Sequence, residues 1–170
     1  SSLGVIKCVN RGDATYRKQL VNMYTMEATH FKNQAKLFKK KVNEFGASIL
    51  CIDNNGLGRG LTDELVQEID ENPPYSVVND SRYDIYKKPN SVPLVFLVSS
   101  NSRETKNDNI INQFMTTIAN HDLQILKSES SARGFIKEKD PYDIAEKLLP
   151  YIQTDRLIDE IMNLEYVQKG

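Results

Sequence analysis

Asp53 stands where an apolar run meets a glycine-rich stretch, Ser48-Ile49-Leu50-Cys51-Ile52-Asp53-Asn54-Asn55-Gly56-Leu57-Gly58. Ser48 to Ile52 reads as a short buried parallel strand bounded by turn signals. A carboxylate at the carboxyl end of such a strand lies on the edge where open α/β sheets gather their ligands. It can take a hard divalent cation, because Mg²⁺ prefers oxygen and usually draws only one or two carboxylates from the protein. Gly56 and Gly58 are expected to shape a sharp turn, with Asn54 and Asn55 contributing, before a helix that starts near Leu61.

Other groups compete for roles. Lys32, Lys36, Lys39, Lys40 and Lys41 crowd one predicted helix. The first four share the face opposite Phe31, Phe38 and Val42. That face is either a solvated polar surface or a stripe that contacts the phosphates of duplex DNA. Asp13 belongs to a hairpin turn. Asp63 and Glu64 suit the start of a helix through its dipole, and either could approach the Asp53 edge. Asp140, Asp143, Asp155 and Asp159 fall in a late helical region, where capping and dipole roles suffice. Cys8 and Cys51 read as free core thiols in a reducing compartment. His30 and His121 sit at or near helix ends, and no CxxC or paired-histidine spacing offers a zinc site. Gly56-Leu57-Gly58-Arg59-Gly60 lacks the lysine and hydroxyl residue of a Walker loop, so no ATPase is expected here.

These groups need a scaffold, and 170 residues suffice for one domain with a core. With 22 Lys and Arg against 23 Asp and Glu, the net charge of −1 gives no global pull toward nucleic acid, so any DNA contact must be local. No apolar run reaches the length of a membrane span, and Ser1 begins in strand-like sequence without a leader pattern.

Leu3 to Val9 and Tyr16 to Glu27 read as an antiparallel pair around the Arg11-Gly12-Asp13-Ala14 turn. Thr29 is the expected N-cap of a helix through Phe31, Ala35, Phe38, Val42 and Phe45, ended by Gly46. A helix through Leu61, Leu65, Val66 and Ile69 stops before Pro73-Pro74. Tyr75 to Ser91 reads as a long surface loop, with room for a short strand near Tyr83 to Tyr86. Pro93 to Ser99 contains a fully buried strand, Leu94 to Val98. Asn107 to Asn120 is helical, and Leu123 to Leu126 suits a short edge strand. Pro141 to Leu149 is a helix interrupted at Pro150, and Thr154 caps a last helix with Leu157, Ile158, Ile161 and Met162 inward. The alternation predicts an α/β protein with a mixed sheet.

The stretch around Asp53 and its flanks resemble the nuclease domain of the large terminase subunit of tailed bacteriophages. The flanks are Ala28-Thr29-His30-Phe31-Lys32-Asn33-Gln34-Ala35, Thr62-Asp63-Glu64-Leu65 and Thr154-Asp155-Arg156-Leu157-Ile158-Asp159-Glu160-Ile161-Met162-Asn163-Leu164. The likeness runs in order over most of the chain and is sharp at the acid-glycine stretch.

It implies a ribonuclease-H-like fold: an antiparallel meander, then parallel strands, flanked by helices. It also implies a metal-dependent endonuclease that cuts concatemeric double-stranded viral DNA with two Mg²⁺ or Mn²⁺ ions. Its partners would be the packaging ATPase domain, the small terminase subunit and the portal, in the cytoplasm of a bacterial host. The isolated domain would be a monomer without membrane contact. Three acids hold the metals in such domains, and Asp53 matches the second. The first would precede Ser1 and the third would follow Gly170, so the resemblance implies a domain truncated at both ends, weak or inactive by itself. The opening strand of such a sheet lies between the second and the fourth; without it the sheet would split and leave two bare inner edges. The alternative is a non-catalytic scaffold of the same fold that binds DNA or packaging-motor proteins. Another ribonuclease-H-like enzyme, such as a resolvase or integrase, is a third reading.

Overall fold

A computed structural model of the chain describes residues 1–12, 15–26, 29–55, 57–98, 105–137 and 140–163. It is an α/β protein with both antiparallel and parallel strand pairs, gathered into two compact units. The first unit comprises Ser1–Met26 and Gln113–Gly170, and the second Glu27–Asn112. Among the described residues no helix is long and apolar enough to cross a membrane.

In the first unit, β1 (Ser2–Asn10) pairs antiparallel with β2 (Tyr16–Thr25) from Ser2↔Thr25 to Asn10↔Tyr16, with a bulge between Val5 and Ile6. Gly12 supplies the φ of 90° that the hairpin turn needs. Asp13 and Ala14 lie outside the described residues, as does Glu27, and β2 ends at Thr25. The edge strand expected near Leu123 is present as β6 (Leu123–Gln124), parallel to β2.

Pro150 does not end its helix. The helix α5 runs unbroken from Pro141 to Met162, and Thr154 is an interior residue, not a cap. An internal proline costs a helix about 3 kcal/mol. Packing offsets that cost: α5 lies on β2, and Leu148, Thr154, Leu20 and Met23 are all buried. The Thr154 hydroxyl donates to the Pro150 carbonyl at 2.8 Å and lies 3.7 Å from Met23 Sδ. Met162 points outward, contrary to expectation, at 80% exposure. Asp140 caps α5 by accepting the Tyr142 N–H at 2.8 Å, the role its position suggests. Asp155 accepts the Glu129 N–H at 2.9 Å, which ties α5 to a short helix that the sequence reading missed, α4 (Glu129–Arg133).

In the second unit, β3 (Leu50–Asp53) pairs parallel with β5 (Val92–Val98), and β5 pairs parallel with β4 (Tyr75–Val77), in the order β3-β5-β4. The stretch expected to be a loop thus holds a strand buried along its whole length. The suggested strand near Tyr83 is instead a 3-10 turn, Ser81–Tyr86. On β3 and β5, Leu50 and Ile52 pair with Val95 and Leu97, all four of them buried. The opposite face is more open. Cys51 and its register partner Phe96 are both exposed, which corrects the expectation of a fully buried strand and of a core thiol. Cys8 is likewise exposed, on the same open face of β1 as Ile6. Helix α3 (Thr105–Ala119) follows β5.

Helix α1 (Phe31–Phe45) packs on α2 (Leu57–Leu65). Its N-cap is His30, not Thr29: Nδ1 accepts the Lys32 N–H at 3.3 Å. Gly46 closes it in the left-handed conformation, φ 58°, as the sequence indicates. Buried Ala35 and Phe38 mark its core face.

Candidate functional site

The site forms at the carboxyl rim of the parallel sheet. Asp53 is the last residue of β3, and its side chain is exposed. The strand alternates, so Leu50 and Ile52 hold it in the core while Cys51 and Asp53 face outward. The backbone continues one step in register, with the Asn54 N–H donating to the Val98 carbonyl at 2.8 Å. Asp53 Oδ1 accepts the Asn55 N–H at 3.0 Å and Asn55 Nδ2 at 2.6 Å. Oδ2 takes part in neither bond. This local turn fixes the carboxylate at the strand end with one oxygen engaged by its own backbone.

The glycines work differently from the expectation. Helix α2 begins at Leu57, so Gly58 and Gly60 are helical, and Gly56 lies outside the described residues. A Cβ on Gly58 would stand 1.6 Å from the Asp53 carbonyl oxygen. A Cβ on Gly60 would stand 2.6 Å from the Phe31 ring. Glycine at these two positions lets the helix start press directly on the strand end and on α1. Gly58 therefore shapes the site through close approach, and its N–H also closes a turn by donating to the Asn55 carbonyl at 3.3 Å. Thr62 reinforces this first turn by donating to the Gly58 carbonyl at 2.9 Å.

Of the other candidates, Asp63 meets the Ser81–Tyr86 segment. The Tyr83 hydroxyl lies 3.5 Å from Asp63 Oδ1. Burial first, then the charges of Asp63 and Asp80, push the Tyr83 hydroxyl above its ordinary pKa. Asn79 was not foreseen. Its amide brackets β5, donating to the Leu97 carbonyl and accepting the Leu97 N–H, both at 2.8 Å. A side chain here completes the rung that a strand would otherwise supply. The asparagine gave no sequence signal, because the strand it follows was itself hidden.

The lysine stripe is corrected. Lys32, Lys36 and Lys40 are exposed on α1 at steps of four. Lys39 is fully buried and leaves the stripe. Its ammonium donates to Asp70 Oδ1 at 2.6 Å and to the Asn72 carbonyl at 2.9 Å, and lies 5.6 Å from the centre of the Tyr75 ring. One signal was available: Lys39 follows Ala35 by four residues, and Ala35 is at the centre of the core face.

Asp53 fits a divalent cation as one carboxylate ligand. Among the described residues no three His, Cys, Asp or Glu side chains gather closely enough to hold a metal together, so the expected two-ion set is not assembled from them. No family model, no curated protein and no solved structure matches this chain.

Proposed function

We propose that the chain is a ribonuclease-H-like, metal-dependent endonuclease domain of a viral DNA-packaging terminase large subunit, acting on concatemeric double-stranded DNA. The observation that carries this reading is Asp53, an exposed carboxylate at the carboxyl end of a parallel strand, clamped there by a helix whose Gly58 touches the Asp53 carbonyl. The order of pairing supports it too: an antiparallel pair, β1 and β2, precedes the parallel strands β3, β5 and β4.

Asp53 would hold Mg²⁺ or Mn²⁺ through its carboxylate, with Asn55 fixing the orientation. Such ions, when bound as a pair, activate water and stabilise the leaving oxygen of a phosphodiester. Lys32, Lys36 and Lys40 would contact duplex phosphates. The packaging ATPase domain, the small subunit and the portal would be its partners.

A second reading has an observation of its own. Asp53 Oδ1 is already engaged by a backbone N–H, which suits a non-catalytic scaffold that binds DNA or motor proteins. Supercoiled plasmid incubated with the protein and Mn²⁺ separates the two. Cutting that is lost in Asp53→Ala supports the nuclease. Equal cutting by both forms refutes a catalytic Asp53. DNA binding without cutting supports the scaffold.

A further inference from the structure

The Ser81–Tyr86 turn is held by several hydrogen bonds, yet none of its residues is fully buried. Asp80 caps it by accepting the Arg82 N–H at 3.1 Å, and the Arg82 guanidinium grips the same carboxylate. The Lys87 N–H closes its far end on the Asp84 carbonyl at 3.1 Å. Ser91 Oγ accepts the Lys88 N–H at 2.9 Å, and Asn79 bolts the entrance to Leu97. The rigid turn presents Ile85 at 80% exposure and Tyr86 at 41%. Ile85 therefore contributes little to folding, since most of its area stays in solvent, while the Tyr86 ring packs 6.0 Å from the Tyr83 ring and keeps one side open.

Its neighbours indicate what it meets. Lys87 is exposed and directly follows Tyr86. The Lys88 ammonium makes an exposed pair with Glu68 at 3.2 Å, the kind that a stronger partner displaces easily. Arg82 is committed to Asp80 and is not available. The position matters equally. Asp53 pairs in register with Val98, and Asn79 grips Leu97 from the β4 side of β5. The turn therefore begins about two strand spacings, roughly 10 Å, from Asp53 along the same rim. That span is comparable to a DNA groove.

We infer that this turn is a duplex-DNA contact, with Ile85 and Tyr86 entering a groove and Lys87 and Lys88 on the flanking phosphates. An isoleucine wedge at a base step beside paired phosphate contacts is the chemistry of groove-deforming proteins. The inference rests on reading the chain as one that acts on duplex DNA, and it holds whether that action is cutting or binding.

The test uses the whole chain and a short end-labelled duplex in EDTA, read by fluorescence anisotropy across a salt series. Ile85→Ser is expected to weaken binding about tenfold with the salt slope unchanged, as loss of an apolar groove contact does. Lys87→Gln is expected to lower the slope of log affinity against log salt by about one, as loss of one phosphate contact does. Both positions are exposed, and matching thermal melts verify folding. Wild-type affinity and slope in both variants, against a wild type that binds, overturn this inference alone and leave Ile85 to a protein partner. A wild type that binds no duplex overturns the DNA reading together with it.

Discussion

The two rims of the parallel sheet in the second unit both carry a carboxylate, and the two acids are treated in opposite ways. At the amino rim, before β4, Asp70 meets the buried Lys39 ammonium, which also bonds the Asn72 carbonyl and faces Tyr75. At the carboxyl rim, Asp53 is exposed, and only Oδ1 is engaged by Asn55. Burial alone would raise the Asp70 carboxyl, but Lys39 and the Asn72 N–H outweigh it and hold it below the ordinary carboxylate range. Burial, then the Asp70 charge, push Tyr75 up. A carboxylate whose partners are all internal is a structural tie between α1 and the α2–β4 connection. A carboxylate fixed at a strand end with an oxygen to spare has the makings of a ligand. Residue type does not separate these roles; burial and saturation of bonding capacity do.

The sharpest way to break this contrast is to remove one partner at each rim. Lys39→Met leaves Asp70 without its cation in a mostly buried place, and should cost about 3 kcal/mol in urea unfolding. Asp53→Asn should change stability by no more than about 0.5 kcal/mol in the same experiment, because the site is exposed. Equal losses at the two positions would erase the distinction. Gly58→Ala comes next. It gains about 1 kcal/mol of helix propensity but drives a Cβ into the Asp53 carbonyl, and a net loss of about 2 kcal/mol is expected. A gain in thermal stability would show that the close approach is not required. Acid sharpens the amino rim. Because the Asp70 carboxyl is lowered in the folded chain, its contribution is present above the ordinary carboxylate pKa and is lost as pH falls through the lowered value. The fall in stability on acidification should therefore be shallower in Asp70→Asn. Smallest of all, Lys36→Gln should leave stability within about 0.5 kcal/mol while weakening DNA binding at low salt.

Much of this was legible in the sequence. The four-and-three spacing from Phe31 and the glycine at 46 gave α1 its extent, and the apolar run into Asp53 gave β3 its carboxyl end. The rest depended on partners distant in the chain. Strand β4 is three residues long and follows two prolines, so it has no period to read, and its burial comes from pairing with β5. Lys39 looked solvated because its cation is satisfied by Asp70, thirty-one positions away. Gly58 read as a turn because a glycine needed for close approach carries the same letter as one needed for a positive φ; only the Asp53 carbonyl beside it tells them apart. Pro150 read as a stop because the β2 surface that holds α5 together is remote in sequence.

The central claim is that Asp53 binds a divalent cation. Mn²⁺ titrated into the chain and followed by electron paramagnetic resonance tests it directly, since free Mn²⁺ gives a sharp signal that is broadened on binding. The account predicts that the wild type depletes the free signal and that Asp53→Asn depletes it measurably less. Identical titration curves for the two proteins would contradict it.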